Sequence, residues 1–350
     1  MFSKLFPKSP RFYNNVIRVK SSTRIRYSSF TTNTFKTIPI PVKYVNHSYY
    51  HGSTFNDEYN QELQHQMINE AQMDLSRIIK PFHDEQHPVL VRNFYDNMNI
   101  TGFRSYEIPC RALQNWSDLK YLENMIGSNT LCFVEVGGSY NSSDISRSEI
   151  PFGDYLSYIQ LFHEKYGSTA DDNDENENCD NNPKKEEIVY MAQNDINSFQ
   201  QSASPGLDDN NEESIKNDYI TPQLCYDPSH EVGHGNIYNS MLWFGPKFCV
   251  SPLHFDPLDN LLMQFVGRKN VILFPNICNK WHYAGVDGQQ YNTSPIDIMN
   301  PNMDLYPNFM KAPMAMDCIL HPGDILFIPQ RWWHYVSSID TAISVNVWWR

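Results

Sequence analysis

The stretch Ser251-Pro-Leu-His-Phe-Asp-Pro257, joined seventy-eight residues beyond its aspartate by His334 in Pro329-Gln-Arg-Trp-Trp-His-Tyr-Val336, decides how this chain is read. In an extended strand, residues two apart point to the same face, so His254 and Asp256 emerge on one side of the backbone, about 6–7 Å apart along it. His334 follows a short apolar strand opened by the turn Pro322-Gly-Asp324. Two imidazoles and one carboxylate occupy one face of an octahedral ion and leave three positions free, the arrangement in which non-heme Fe(II) takes a co-substrate together with O2. A hydrolytic zinc centre needs a single open position. A His-x-Asp pair alone carries little weight in a chain with twelve histidines, so its surroundings must supply the rest.

Those surroundings are Asn260-Leu-Leu-Met-Gln-Phe-Val266, the tight turn Gly267-Arg268, and Lys269-Asn-Val-Ile-Leu-Phe274. The pattern reads as a β-hairpin with a lysine at the mouth of an apolar strand. A lysine that starts a strand is ordinarily a solvated end. Facing a metal pocket, the same ammonium would be a counter-ion for a dicarboxylate.

With these residues in view, the segment from Trp243 to Trp349 resembles the JmjC domains of Fe(II)/2-oxoglutarate oxygenases, closest to their lysine demethylase and arginyl hydroxylase group. The likeness is carried by Trp243-Phe-Gly-Pro246, Ser251-Pro-Leu-His254, Val266-Gly-Arg-Lys269, Asn292-Thr-Ser294, Lys311-Ala-Pro313, Pro322-Gly-Asp-Ile-Leu-Phe-Ile-Pro329, Trp333-His-Tyr-Val336 and Ser344-Val-Asn-Val-Trp-Trp349. A fainter likeness runs through Pro88–Arg92, Gln114–Asp118, Phe133–Gly137 and Tyr190–Gln193, so that roughly residues 80 to 350 are covered with two gaps. The resemblance implies a mainly β double-stranded β-helix, the jelly roll of cupins, with added N-terminal helices. It implies Fe(II) held by His254, Asp256 and His334, and 2-oxoglutarate held by Tyr190, Ser251, Asn260 and Lys269, with Asn346 on the wall near the proximal carboxylate. It also implies consumption of O2 with release of succinate and CO2. Phe255 between the ligands and the doubled Trp332-Trp333 depart from the nearest relatives and bear on substrate shape. Trp243, Trp332 and Trp333 are the aromatic candidates for the pocket wall.

Charge divides the chain. Residues 1–56 hold nine Lys or Arg and no Asp or Glu, so that of a net −13 the remainder carries −22. Such a body repels phosphates and is not an electrostatic binder of nucleic acid; a basic protein or peptide substrate suits it better. The opening, Met1 to Phe30, is rich in Arg, Lys and Ser and free of acid, as matrix-targeting presequences are, with Arg26-Tyr27 before Ser28 suiting a processing site. That reading places the protein in the mitochondrial matrix; a basic tail of a nuclear or cytoplasmic protein is the alternative. No apolar run approaches the ~18–20 residues of a membrane span. Seven unpatterned cysteines, Cys110, Cys132, Cys179, Cys225, Cys249, Cys278 and Cys318, argue for reduced thiols and against a zinc cluster or a disulfide frame.

The organisation expected is a basic segment at 1–43, a helical and strand region at 44–162, acidic low-complexity insertions at 163–218 around a short ordered segment at 188–199, and the JmjC core at 219–350. Helical spacing runs from Asn60 to Ile79 and is expected to end before Pro81. Strands are expected at Val89–Val91 and Thr130–Val136, and an aromatic-faced helix at Pro151–Phe162. The polar stretch Ser202–Asn217 reads as a solvated loop. His230-Glu-Val-Gly-His234 matches the zinc-protease pattern, which needs a stable helix; Pro222, Pro228, Gly233 and Gly235 argue against one. The sequence thus points to a 2-oxoglutarate-dependent oxygenase that hydroxylates a protein side chain, Arg favoured. Methyl-lysine demethylation is the alternative within the same chemistry, and a non-catalytic metal-binding cupin-like module the alternative of another class.

Overall fold

The computed structural model describes residues 37–44, 72–95, 110–137, 146–168, 183–199, 214–281, 291–312 and 315–350. Fourteen strands are named among them: β1 (Thr37–Pro39), β2 (Val42–Tyr44), β3 (Val89–Arg92), β4 (Leu131–Val136), β5 (Ser146–Pro151), β6 (Val189–Asp195), β7 (Ile237–Gly245), β8 (Val250–Phe255), β9 (Asp259–Val266), β10 (Lys269–Phe274), β11 (Ala315–Leu320), β12 (Ile325–Ile328), β13 (Trp333–Ser338) and β14 (Ala342–Trp349). They form a five-stranded sheet, β1-β11-β10-β13-β8, and a nine-stranded sheet, β2-β3-β12-β9-β14-β7-β6-β4-β5. Strands β7, β9, β12 and β14 lie in one sheet and β8, β10, β11 and β13 in the other, so the chain keeps crossing between facing sheets. This is the mainly β jelly roll that the resemblance implies.

Strand alternation sorts the side chains. On β9, Leu261, Met263 and Phe265 face outward into the main core, joined by Ile343, Val345, Val347 and Trp349 of β14. A helical layer covers that face through Leu75 and Ile79 of helical residues 72–84, Leu122 and Ile126 of helix Leu119–Ile126, and Phe152, Tyr155 and Ile159 of helix Phe152–Tyr166. Asp118 caps the helix it precedes by accepting from the N–H groups of Lys120 and Tyr121, which satisfies donors that a helix start leaves open. Turned the other way, Leu262, Val271, Leu273, Leu326, Ile328 and Val336 fill the barrel interior. Polar residues on the same inward faces, Asn260, Lys269, His334, Ser344 and Asn346, contribute to a site.

Several expectations change. Strands β9 and β10 do not pair as a hairpin: β9 pairs with β12 and β14, and β10 with β11 and β13. The turn instead carries the chain from one sheet to the other, which local patterning cannot distinguish from a hairpin. Gly267 sits there at φ +65°, and a Cβ on it would lie 2.1 Å from the Thr341 carbonyl oxygen, so no other residue fits this crossing. Arg268 clamps Asp340 beside it with Nε and Nη2 at 2.7 and 3.0 Å.

The helix of residues 72–84 continues past Pro81; a proline forfeits one donor, and the last turn is held by Glu85 N–H to the Pro81 carbonyl and His87 N–H to that of Phe82. The expected segment 1–43 includes ordered chain at its end, because β1 adds parallel to β11 and β2 parallel to β3. Ser214–Asp218 is likewise not a solvated loop: Ile215 is buried, and Asp218 accepts from the Trp116 indole at 2.8 Å and the Tyr121 hydroxyl at 2.9 Å. The His230–His234 stretch is a 3₁₀ turn followed by Glu231 and Gly233 at positive φ. Its His230 packs inward on Ser76 Oγ at 2.6 Å, so the two histidines do not share a helix face.

The basic opening through residue 36, the helical spacing from 60 to 71, and the acidic residues 169–182 and 200–213 lie outside the described residues. Among the described residues no helix is long and apolar enough to cross a membrane, and Cys110, Cys132, Cys225, Cys249 and Cys318 are buried thiols outside any disulfide.

Candidate metal centre

Strand β8 carries a proline inside a sheet, and that proline explains how two of its residues serve one cavity. Pairing with β13 matches His254 to His334 but Ser251 to Val336, an irregularity of one extra residue at Pro252-Leu253. A bulge tolerates the missing N–H and re-aims side chains. Ser251 and His254, three apart, therefore both line the pocket, while Leu253 and Phe255 face the outer cluster. Asp256 follows directly, with its carbonyl held by the Arg331 N–H at 2.7 Å, which ties the ligand pair to the turn that delivers His334.

His254, Asp256 and His334 converge so that one ligand atom from each lies within 4.8 Å of the others. His334 Nε2 is 3.5 Å from Asp256 Oδ2, and His254 Nε2 is 4.0 Å from Oδ1. Each imidazole pairs Nδ1 with a backbone carbonyl, His254 with Pro252 at 2.7 Å and His334 with Trp332 at 2.9 Å. With Nδ1–H donating there, Nε2 presents its lone pair inward, the outer-shell arrangement typical of metal-ligating histidine. Burial, reinforced by the neighbouring His334, pushes the His254 imidazole down to about 4. Burial opposes charge on Asp256, yet the neighbouring His334 and His254 imidazoles and the hydrogen bond from the Trp348 indole together hold its carboxyl at about 2. A neutral imidazole at His254, an imidazole nitrogen of His334 turned inward and an ionised carboxylate are the donor set that fits Fe(II) with an open face.

A one-way hydrogen-bond chain ends on the carboxylate. The Trp243 indole donates to Asn346 Oδ1 at 2.6 Å, Asn346 Nδ2 to Asn260 Oδ1 at 3.2 Å, and Asn260 Nδ2 to Asp256 Oδ2 at 3.2 Å. An indole only donates and a carboxylate only accepts, so both amide orientations are fixed from the two ends.

Lys269 stands apart from the triad in a pocket of about 400 Å³ that both line. It is 2% exposed, donates to Ser344 Oγ at 2.6 Å and Tyr190 Oη at 3.4 Å, and faces no carboxylate among the described residues. Burial pulls its ammonium down to about 8. A buried cation of this kind suits an anionic ligand.

All eight residues expected to hold metal or co-substrate line this pocket, as does Trp243. Trp332 and Trp333 do not. Trp333 alternates with His334 and packs outward against Phe255, ring centroids 5.0 Å apart. The Trp332 indole donates to the Gln86 carbonyl at 2.9 Å and its ring meets His87 edge-on. The aromatic wall is supplied instead by Trp348, and Ser344, Leu262, Ile328 and Val336 complete the lining. Ser344 and Trp348 were within reach of sequence reasoning, since they alternate with Asn346 along one strand.

This geometry has counterparts. The cupin-like domain family model matches residues 76–350, and the chain belongs to that family. Its relatives include the lysine-specific demethylase JMJ30 of Arabidopsis thaliana, 32% identical over 238 residues that make up 68% of this chain and 47% of the relative. They also include lysine-specific demethylase 8 of Xenopus tropicalis, 30% identical over 241 residues, 69% of this chain and 45% of the relative. JmjC domain-containing protein D of Dictyostelium discoideum is 31% identical over 249 residues, 68% of this chain and 48% of the relative. The chain spans about half the length of these curated relatives.

Proposed function

We propose that this protein is an Fe(II)- and 2-oxoglutarate-dependent dioxygenase that hydroxylates a protein side chain, arginine favoured. The observation that carries the reading is the placement of a buried, carboxylate-free Lys269 in the same pocket as the His254, Asp256 and His334 set. A dicarboxylate is the ligand whose two ends such a pocket can address separately. Bound Fe(II) would supply O2 activation coupled to decarboxylation of 2-oxoglutarate, giving succinate, CO2 and a hydroxylated product. The chain's own part is to hold the distal carboxylate at Lys269 and Ser344, to keep Asp256 ionised, and to exclude water with Trp243, Leu262, Ile328 and Val336. Methyl-lysine demethylation, the same oxidation directed at an N-methyl carbon, is the second reading, favoured by the relatives that are named lysine-specific demethylases.

Aerobic incubation with Fe(II), 2-oxoglutarate and a basic peptide mixture is expected to yield succinate in step with peptides carrying one added oxygen on arginine. Loss of methyl groups from methyl-lysine peptides instead would select the demethylase. No succinate in any mixture would leave a metal-binding module without turnover.

The address follows from the basic opening. A fluorescent fusion of residues 1–27 alone is expected to enter mitochondria, and charge reversal at Arg24 and Arg26 to weaken import. Nuclear or diffuse signal from the intact segment would place the enzyme and its substrate elsewhere.

A further inference from the structure

The carboxylate of Asp256 is addressed unequally. Its Oδ2 accepts two hydrogen bonds, from the Trp348 indole Nε1–H at 3.0 Å and from the Asn260 amide at 3.2 Å. Its Oδ1 accepts none among the described residues and stands 4.0 Å from His254 Nε2, while His334 Nε2 is 3.5 Å from Oδ2. The two donors sit directly opposite one another, Trp348 on β14 and Asn260 on β9, so two rigid strands fix the rotation of the carboxylate. An oxygen already receiving two N–H groups has little lone-pair density left for a metal, while the other oxygen keeps its own.

We propose that Trp348 is a positioning residue for the metal: with Asn260 it occupies Asp256 Oδ2, so that the carboxylate ligates through Oδ1 alone and leaves the remaining positions free for co-substrate and O2. A carboxylate free to turn would no longer hold Oδ1 toward the two imidazoles, and the ligand set would lose its preorganisation. The inference rests on the metal reading of the site and names a residue that acts on the metal through Asp256. Trp349, its neighbour, provides the contrast. It points the other way, is fully buried, and donates to the Val232 carbonyl at 3.2 Å, so its role is confined to the core.

Mn(II) titration of the purified full-length chain, followed by the loss of the free-ion electron paramagnetic resonance signal, tests this without turnover. Trp348→Phe keeps the ring and removes the N–H, and is expected to weaken Mn(II) binding by about 10-fold or more, the usual effect of deleting an outer-shell partner, with little change in melting temperature. Trp349→Phe is expected to do the reverse. Should Trp348→Phe not fold, Trp348→Gln and Trp348→Leu carry the test: they are similar in size, but only the first offers an N–H at the depth of the indole nitrogen, and it is expected to bind Mn(II) more tightly. Wild-type affinity in Trp348→Phe, or equal affinity in the Gln and Leu variants, would overturn this inference alone. A wild-type chain that takes up no Mn(II) would overturn the metal reading with it.

Discussion

His334→Ala is expected to lack the visible charge-transfer band that anaerobic Fe(II) and 2-oxoglutarate are expected to give with the wild-type protein, and to form no succinate. The residue supplies one of three ligand atoms, and its ring lies 4.1 Å from that of His254. No other His, Cys, Asp or Glu among the described residues joins this cluster to replace it. Removing an outer-shell partner costs about 10–100-fold in metal affinity, and losing a ligand must cost more. The fold should survive, since His334 faces the cavity and its β13 neighbours Trp333 and Tyr335 keep their outward packing. Near-ultraviolet circular dichroism would confirm that. A band of wild-type intensity in a folded variant would take His334 out of the ligand set.

Lys269→Ala is expected to raise the 2-oxoglutarate requirement by about 30-fold or more while leaving Fe(II) affinity without co-substrate nearly unchanged. Truncating one partner of a buried charge pair costs about 2–5 kcal/mol, because the other charge is left buried and alone, and about 2 kcal/mol already gives the lower figure. Without co-substrate the sign reverses. Burial lowers the folded-state value of Lys269 to about 8 from 10.5, so keeping it charged costs stability below pH 8, and the cost fades as pH rises toward the unfolded value. Lys269→Met, which removes the charge and keeps the bulk, is therefore expected to be at least as stable as wild type at neutral pH when ligand-free, yet to show no thermal stabilisation by 2-oxoglutarate. Wild-type co-substrate dependence in Lys269→Ala would reduce the lysine to an ordinary strand start.

How far the sequence carried depended on whether a feature was local. His254 and Asp256 are two apart on one strand, and simple alternation places them together. Ser251 is three from His254 and by alternation would face away; only the bulge at Pro252 brings it inward, and its assignment came from family resemblance. Alternation around His334 would have turned Trp333 outward, a signal that the interest of paired tryptophans obscured. The β9–β10 crossing looked like a hairpin because turn chemistry is the same whether the chain doubles back within one sheet or passes to another. Strands β1 and β2 escaped notice for a different reason. Each is three residues long, Pro39 and Pro41 interrupt the pattern, and their partners lie on strands far away in sequence, where no local periodicity can point.

Those two strands set a limit on how the N-terminus can be trimmed. Between them Ile40, 2% exposed, drops into the barrel interior beside Leu90, Leu262 and Val271. Its N–H binds the Asp317 carbonyl at 3.2 Å on one sheet, and the Pro41 carbonyl receives the Leu90 N–H at 2.9 Å on the other. The segment works as a cork with one flange on each rim. A truncation just ahead of Thr37 leaves the cork in place, whereas one at residue 44 pulls it out and strips an edge strand from each sheet. Chain length and stability are thereby joined at a boundary only a few residues wide.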